Sequence, residues 1–148
     1  MADLSTTIAM LGVLSTQHPL PALDPQQVHC LAETAFHEAR GEGEHGQRMV
    51  IDVILNRVAR PGYPATACGV IRQPGQFTYT RRPVSLHKPA QREAWRIAVR
   101  VASFRLAGFA PRLHSGTHFY RKNLRPTWAA KGRVVARVGG HIFVELMP

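Results

Sequence analysis

The stretch that decides the fold runs from Val28 to Arg57 and reads V-H-C-L-A-E-T-A-F-H-E-A-R-G-E-G-E-H-G-Q-R-M-V-I-D-V-I-L-N-R. It contains two segments with helical periodicity, joined by a glycine-broken turn that is crowded with carboxylates. In the first segment the apolar residues share one face at the spacing of an amphipathic helix: Val28, Leu31, Ala32, Ala35, Phe36 and Ala39. The pattern predicts two consecutive helices as the organising unit of the fold.

Glu38 lies at the edge of that apolar face. At about 100° per residue it falls roughly a quarter turn from the centre of the face, so its side chain is predicted to be half desolvated. It also stands in the last turn, near the negative end of the helix dipole. Both effects disfavour the charged form and raise the pKa of the carboxyl group, as a general acid working near neutral pH requires. Glu38 is therefore the candidate catalytic residue.

Start and stop signals bound the two helices. Asp24 is a good N-cap before Pro25 at the first helical position, so the first helix is predicted over about residues 25–39. The second helix is predicted over about residues 45–60, because Pro61-Gly62 ends it. Its apolar positions repeat at helical spacing: Met49, Val50, Val53, Ile54 and Val58.

The second half of the chain mixes a long loop, a helix and a hairpin. Residues 61–90 contain five prolines and no sustained period, which predicts a loop that carries function. Its run 76–80 either faces a substrate or forms a short strand with one buried face. A third helix is predicted over residues 89–106, with an inner face of Ala94, Ile97, Ala98, Val101 and Phe104. Near the C-terminus Val134, Ala136 and Val138 share one face and alternate with Arg133, Val135 and Arg137. With Gly139-Gly140 and a strand over 142–146 after them, they predict a β-hairpin.

The net charge of +10 is unevenly distributed. Residues 1–47 hold one basic residue and six acids, a net charge of −5, whereas residues 48–148 hold 18 basic residues and three acids, a net charge of +15. The strong positive charge of residues 48–148 favours polyanionic partners such as nucleic acid, lipopolysaccharide, teichoic acid or anionic lipid. On the third helix Arg92, Arg96 and Arg100 repeat every four residues, either as an anion-binding ridge or as a solvated face partly balanced by Glu93.

Length and cysteine content bound the organisation of the chain. A chain of 148 residues is long enough for one domain with a real core, so residues 1–24 are predicted as a lead segment and 25–148 as a single domain. The apolar run 8–14 is too short to span a bilayer and lacks a preceding basic region, which argues against a signal peptide. Cys30 and Cys68 are either free thiols or one disulfide; free, partly buried thiols are the default expectation.

A metal site is the main alternative to acid catalysis by Glu38. His29, Glu33 and His37 stand at i, i+4 and i+8 and stack on one helix face, a geometry that can hold zinc. That face is nearly opposite the apolar one, and the helix lacks an H-E-x-x-H pattern. These three side chains are therefore expected to form a ladder that is exposed to solvent and binds no metal. No metal and no other cofactor is expected.

A basic nucleic-acid-binding or envelope-binding protein without catalysis is the alternative from another functional class. Aromatic residues interleave with the basic ones and could build a stacking, phosphate-binding face: Phe77, Tyr79, Trp95, Phe119, Tyr120 and Trp128. The sequence contains no signature of a nucleic-acid-binding fold. No specific nucleic-acid partner is therefore expected.

An ordered series of motifs carries a family resemblance. The motifs are E-A-R-G-E (38–42), Gly46-Gln47, I-L-N-R (54–57), P-G-Y-P (61–64), C-G-V-I-R-Q-P-G-Q-F (68–77), T-H-F-Y (117–120), Trp128 and G-G-H-I-F (139–143). Over roughly residues 28 to 144 the chain resembles the SleB-type cell wall hydrolase family, which includes spore cortex-lytic enzymes and some phage lysins. The resemblance implies an α+β fold: a mostly helical, lysozyme-like domain with a small C-terminal β-hairpin.

The resemblance also implies a function and a site. The function is that of a peptidoglycan-degrading, muramidase-type glycosidase that cleaves the MurNAc-GlcNAc β-1,4 bond with a single glutamic acid, matched here by Glu38. A lytic transglycosylase is favoured, with a hydrolytic muramidase as the alternative. The scarcity of acids beyond the turn favours this one-carboxylate scheme. The candidate substrate-binding residues are Glu42, Gln76, Phe77, Thr78, Tyr79, His118 and Tyr120. Glu42 has an alternative reading as a turn carboxylate paired with Arg40 or Arg57.

Partners and location follow from the same resemblance. The expected partner is bacterial peptidoglycan, with anionic envelope polymers held by the basic surface, and the protein is expected to be a monomer. It is expected to act on the wall in the periplasm or outside the cell. Because no signal peptide is recognisable, two routes fit the sequence: release from a host cytoplasm by a holin, as for a phage endolysin, or delivery as a virion-borne lysin.

Overall fold

The pair of helices predicted from the central stretch forms the middle of the domain. The structure, a computed structural model, describes residues 22–77 and 82–146. Helix α1 spans Pro25–Ala39 and helix α2 spans Gly43–Val58, joined by a 3-10 turn over Arg40–Glu42. The Asp24 carboxylate accepts a hydrogen bond from the backbone N–H of Gln26 at 2.9 Å, which confirms the predicted N-cap.

Two further helices complete the helical layer. Helix α3 spans Ala67–Ile71 inside the predicted loop, and helix α4 spans Pro89–Leu106 at the predicted bounds. The main core lies among the four helices, with Leu31, Phe36, Ile54, Val70 and Ala98 at its centre. The prediction that Phe104 lies on the inner face of α4 is wrong. Its side chain is 50% exposed, because the buried face turns through Ala94, Ala98, Val101 and Ala102.

The expectation of free thiols is also wrong, because Cys30 and Cys68 form a disulfide. The bond joins α1 to α3, and the two Cα atoms lie 5.4 Å apart, well within the range that a disulfide allows. Helix α3 was not predicted from the sequence, since five residues are too few for a period to show. The pairing therefore depends on a packing contact that the sequence pattern does not reveal.

The predicted C-terminal hairpin is present and is extended by a third strand. Strands β1 (His118–Arg121), β2 (Gly132–Val138) and β3 (His141–Leu146) form an antiparallel sheet in the order β1-β3-β2, and a 3-10 turn over Thr127–Lys131 precedes β2. Phe143 of the central strand packs on α2 in a second core cluster with Ala39, Met49, Val50 and Val53. The sheet is thereby fixed beside the C-terminal end of α1.

A β-bulge modifies the alternation predicted for β2. The register with β3 shifts between Val134 and Ala136, so one residue of β2 has no partner opposite it. As a result Val134, predicted to share a face with Ala136 and Val138, is 41% exposed, whereas Val135 packs against the second core cluster.

Buried polar side chains tie the segment between α4 and β1 to α2. Asp52 is fully buried, and its two carboxylate oxygens accept hydrogen bonds at 2.6 Å from Arg105 Nε and from the backbone N–H of Leu113. Asn56 donates to the backbone carbonyls of His114 and Gly116. Asp52 is thus a structural carboxylate. None of the helices in the described ranges has the length and apolarity needed to cross a membrane, and the apolar run 8–14 lies outside these ranges.

Candidate active site

An open cleft of about 860 Å³ separates the helical layer from the sheet. Glu38 at the end of α1 and Arg57 at the end of α2 line one side of it, together with residues 75–77 of the loop. The opposite side is formed by β1, by His141 at the start of β3, and by the connection that carries Leu124 to Trp128. The site residues predicted from the sequence lie on both sides: Glu38, Gln76 and Phe77 on the side of the helices and the loop, and His118 and Tyr120 on β1.

Glu38 lies half-buried on the wall of the cleft, in the last turn of α1. Burial raises the pKa of its carboxyl group, and the charges of His141 and Arg121 lower it by a smaller amount. The direction agrees with the prediction from its position at the edge of the apolar face. A carboxyl group with a raised pKa keeps its proton closer to neutral pH, as a general acid must.

Glu42 lies beside the cleft rather than in it, and holds the hairpin turn. Its Oε1 accepts a hydrogen bond from the backbone N–H of Gly140 at 2.8 Å, and its Oε2 lies 3.0 Å from Nδ1 of His141. Gly139 adopts a φ of +55°, and a Cβ atom there would come within 2.7 Å of the Glu42 carboxyl carbon. Pairing of Glu42 with Arg40 or Arg57, the alternative from the sequence, does not occur.

The Glu42 contact orients His141. A carboxylate only accepts hydrogen bonds, so in this contact Nδ1 of His141 carries the hydrogen. The ring packs edge-on against Phe119 and near Phe143, and it lines the cleft near Glu38. Glu42 therefore acts on the cleft through His141.

Arg57 is a buried cation at the inner end of the cleft. Its Nε donates to the carbonyl of Thr117 at 2.6 Å, and its Nη1 donates to Oε1 of Gln76 at 2.7 Å. The guanidinium also lies over the rings of Tyr63 and Phe77. Burial lowers the pKa of the Arg57 guanidinium from its ordinary value. Arg57 thus joins α2, the loop and β1 at the cleft.

Aromatic rings form the sheet side of the cleft. The ring of Trp128 lies 5.2 Å from that of His118 and 5.7 Å from that of Tyr120. Burial, followed by the charges of Arg57 and Arg60, lowers the pKa of His118 to about 4, so this imidazole is neutral at pH 7. The three rings offer an uncharged, partly apolar surface, which suits the faces of sugar rings.

The structure brings most of the predicted site residues together. Gln76, His118 and Tyr120 line the cleft beside Glu38, and Phe77 lines it while being only 6% exposed and mainly part of the core. Thr78 and Tyr79 lie outside the described residues. The cleft residues that were absent from the predicted set include Arg57, Arg121, Trp128 and His141. Arg57 and Trp128 lie in the motifs that carry the family resemblance, so their position in those motifs could have identified them as site residues.

The His29, Glu33 and His37 ladder lies away from the cleft. His29 and Glu33 are 3.9 Å apart, and the His29 ring also packs against Trp95 of α4. Helix α4 thus covers part of a face that was expected to be open to solvent. Within residues 22–77 and 82–146, no three His, Cys, Asp or Glu side chains are grouped to hold a metal ion.

The arrangement of helices and sheet is similar to that of solved catalytic domains. The catalytic domain of the germination-specific lytic transglycosylase SleB from Bacillus anthracis matches 84% of this chain and 98% of its own with a TM-score of 0.67, at 23% identity. The catalytic domain of the Bacillus cereus SleB protein matches with a TM-score of 0.62 at 24% identity, covering 84% of this chain and 94% of its own. The fold is therefore that of a SleB-type catalytic domain.

The family model for Cell Wall Hydrolase matches residues 41–144, and the chain belongs to that family. A spore cortex-lytic enzyme of Bacillus subtilis (strain 168) is 32% identical over 118 residues, which are 80% of this chain and 37% of the relative. One from Bacillus cereus is 30% identical over 118 residues, 80% of this chain and 44% of the relative. The chain spans less than half the length of these curated relatives. Glu38 lies just before the first residue of the family match.

Proposed function

We propose that this domain is a peptidoglycan lytic transglycosylase with Glu38 as its catalytic acid. The observation that carries the proposal is a half-buried carboxyl group with a raised pKa on the wall of a cleft large enough for several sugar rings. Membership of the Cell Wall Hydrolase family supports peptidoglycan as the substrate. The relatives named as spore cortex-lytic enzymes support the same substrate class.

In the proposed reaction Glu38 acts twice. Its carboxyl group first donates a proton to the glycosidic oxygen between MurNAc and GlcNAc, and the bond from that oxygen to C1 of the muramyl residue breaks. The resulting carboxylate then takes the proton of the muramyl 6-hydroxyl, whose oxygen bonds to C1 and closes a 1,6-anhydro ring. No water is consumed, and Glu38 returns to its acid form.

The distribution of acids supports this one-carboxylate scheme. A two-carboxylate glycosidase needs a second Asp or Glu across the scissile bond. Among the described residues Glu38 alone contributes a carboxylate to the cleft lining. Residues 78–81 of the neighbouring loop are Thr-Tyr-Thr-Arg and add no acid. Asp52 and Glu145 are engaged by arginines elsewhere.

The other cleft residues suit binding and positioning of a glycan. Trp128, Tyr120 and His118 offer stacking surfaces for sugar rings, and Gln76 offers an amide for hydroxyl or acetamido groups. His141, held by Glu42, lies where its ring can influence the proton of Glu38. These roles belong to the proposal and are tested with it.

Mass spectrometry of muropeptides released from purified peptidoglycan tests the proposal. The expected products carry 1,6-anhydro-muramyl ends, and Glu38→Gln should release none while Glu44→Gln, a surface acid paired with Arg100, should release them normally. Reducing ends would overturn the transglycosylase assignment in favour of hydrolysis. No release, together with a salt-sensitive shift of DNA in a gel, would favour the nucleic-acid-binding alternative.

The proposed place of action is the bacterial cell wall, in the periplasm or outside the cell. The disulfide between Cys30 and Cys68 supports an oxidising compartment, since such bonds are rare in reducing cytosol. Release by a holin, as for a phage endolysin, stays a prediction. Lysis of bacteria that express the chain with a holin gene, and no lysis without it, is the expected result.

A further inference from the structure

A second groove of about 590 Å³ opens beside the cleft. It shares Tyr120, Leu124, Arg125 and Pro126 with the cleft, so a ligand in one can continue into the other. Its remaining walls come from the 3-10 turn before β2 and from the sheet. Apart from Tyr120, the residues that line the groove have no role in the proposed reaction.

The rim of the groove is positively charged and unpaired. Lys122, Arg125 and Arg137 line it, and all three are exposed. No Asp or Glu of the described residues forms an ion pair with any of them. The three acids beyond residue 47 are instead engaged by Arg105, Arg96, and the pair Arg60 and Arg133. The charge of the groove is therefore available to an anionic ligand.

The floor of the groove is apolar, and two of its residues are alanines. Ala129, Ala130 and Ile142 line it, with Tyr120 at the boundary with the cleft. Short side chains at these positions leave room for an extended chain to lie along the groove. A ligand with small apolar groups and several carboxylates would match both the floor and the rim.

The basic ridge on α4, formed by Arg92, Arg96 and Arg100, differs in this respect. Arg96 lies 3.1 Å from Glu93, and Arg100 lies 2.6 Å from Glu44. Arg92 donates to the backbone carbonyls of Leu86 and His87. Since internal partners already engage all three guanidinium groups, the ridge is the weaker candidate for binding an anionic polymer.

We infer that this groove binds the stem peptide of the muramyl residue whose glycosidic bond lies at Glu38. The inference rests on the proposed function, because a peptidoglycan muramyl residue carries its peptide on a lactyl group and that peptide must leave the cleft. Stem peptides combine alanine methyl groups with free carboxylates, which is the chemistry of the floor and the rim. Lys122, Arg125 and Arg137 pair with those carboxylates and favour peptide-bearing over bare glycan.

The experiment compares two double variants on two soluble substrates. Lys122→Gln with Arg137→Gln removes two charges of the groove that do not line the cleft, and Arg92→Gln with Arg96→Gln removes two charges of the ridge. The substrates are glycan strands with stem peptides and the same strands after an amidase has removed them. Formation of anhydro ends gives kcat and KM, and thermal unfolding checks the fold of each variant.

The groove variant should raise KM for peptide-bearing strands about three- to tenfold, the range expected for losing two exposed ion pairs. Its kcat and its KM for bare strands should stay at the wild-type level, and the ridge variant should match the wild type on both substrates. The difference in KM should shrink as salt rises, because exposed charges are screened.

Three results would overturn the inference. An equal rise in KM on both substrates would assign the groove to the glycan itself, and no rise on either would leave it without a binding role. A rise seen only with sacculi that retain teichoic acid would assign it to phosphate instead. Absence of anhydro ends from wild-type enzyme on both substrates would instead refute the proposed function, so the two failures are distinguishable.

Discussion

Glu38 and Glu42 stand four residues apart in the same short motif, yet they lie in opposite environments. Glu38 borders the cleft, and burial raises the pKa of its carboxyl group. Glu42 faces the hairpin turn, where the N–H of Gly140 and Nδ1 of His141 engage its two oxygens. The first environment favours a carboxyl group that keeps its proton, and the second favours a carboxylate that accepts hydrogen bonds.

This difference shows that contacts with the sheet distinguish Glu38 from Glu42. Both partners of Glu42 come from residues 98 and 99 positions further along the chain, at the turn and at the start of β3. His141 is shared between the two environments, since it contacts Glu42 and its charge acts on Glu38. Glu38 is thus proposed as the catalytic acid, while Glu42 positions His141, which lies near Glu38.

The largest expected effect is that of Glu38→Gln. Glutamine is nearly isosteric but cannot donate an acidic proton, so kcat should fall about 10²- to 10⁴-fold or more. Activity on peptidoglycan and the melting temperature are measured together. Glu33→Gln and Glu44→Gln are the matched controls and should be mild. An equal loss of stability and activity would identify Glu38 as a structural carboxylate.

The same variant has a pH signature in stability. Because the folded-state pKa of Glu38 is raised, its folded form binds protons more tightly than the unfolded chain, and wild-type stability falls as pH rises above the ordinary carboxyl value of 4.5. Glu38→Gln lacks this loss, so at pH 7 it should unfold at the same or a higher temperature. The advantage should disappear below about pH 4, and denaturation at pH 4 and pH 7 measures it.

Removing the disulfide should lower the stability of the domain without changing the different environments of Glu38 and Glu42. Cys30→Ser with Cys68→Ser opens a link between residues 38 positions apart. The chain-entropy model then predicts a loss of about 4 kcal/mol in the free energy of unfolding. At a temperature where the variant is still folded, its specific activity should match the wild type. Lost activity in a folded sample would show that the α1–α3 link also shapes the cleft.

Glu42→Ala should destabilise the hairpin turn by about 1–3 kcal/mol, because a buried donor and His141 lose their acceptor. It should also lower kcat through misplacement of His141, whereas Glu38→Gln should lower kcat without a loss of stability. Chemical denaturation and steady-state kinetics on the same samples separate the two effects. A Glu42→Ala variant with normal stability would contradict the role assigned to Glu42.

Gly139→Ala provides the companion to that variant. When Glu42 is present, the Cβ atom of an alanine at position 139 would come within 2.7 Å of the Glu42 carboxyl group. Part of the destabilisation by Gly139→Ala should therefore vanish when Glu42 is already alanine. The strain of a positive φ at this position remains in both backgrounds. Strict additivity in the double-mutant cycle would mean that Glu42 does not occupy this space.

The smallest expected effect is that of Arg121→Gln. Its positive charge lowers the pKa of Glu38, so removal should raise that pKa and move the alkaline limb of the kcat/KM profile to higher pH. The shift should shrink in high salt. Arg112→Gln, an exposed arginine that does not act on Glu38, should leave the limb in place. A shift to lower pH would contradict the assignment of Glu38 as the titrating acid.

The elements that were predicted correctly depend on local signals. Helices α1 and α4 have the predicted bounds, because the apolar period and a proline at each start are contained in the helix itself. Helix α2 begins and ends about two residues before the prediction. The Gly139-Gly140 turn was recognisable because a two-residue glycine loop between alternating segments is a hairpin signal. The placement of Glu38 at the edge of an apolar face follows from the same periodicity.

The sequence by itself determined helices α1, α2 and α4, the hairpin, and the half-buried position of Glu38, since each depends on residues within one or two helical turns. Tertiary structure alone decided the Cys30–Cys68 bond, the pairing of β1 with β3, and the capture of Glu42 by Gly140 and His141. Each of these joins groups that are distant in the chain, and several arrangements were compatible with the same local pattern. Packing of the sheet and of α3 against the helices selects one of them, because that packing buries Phe143 and Val70 together with the apolar faces of α1 and α2.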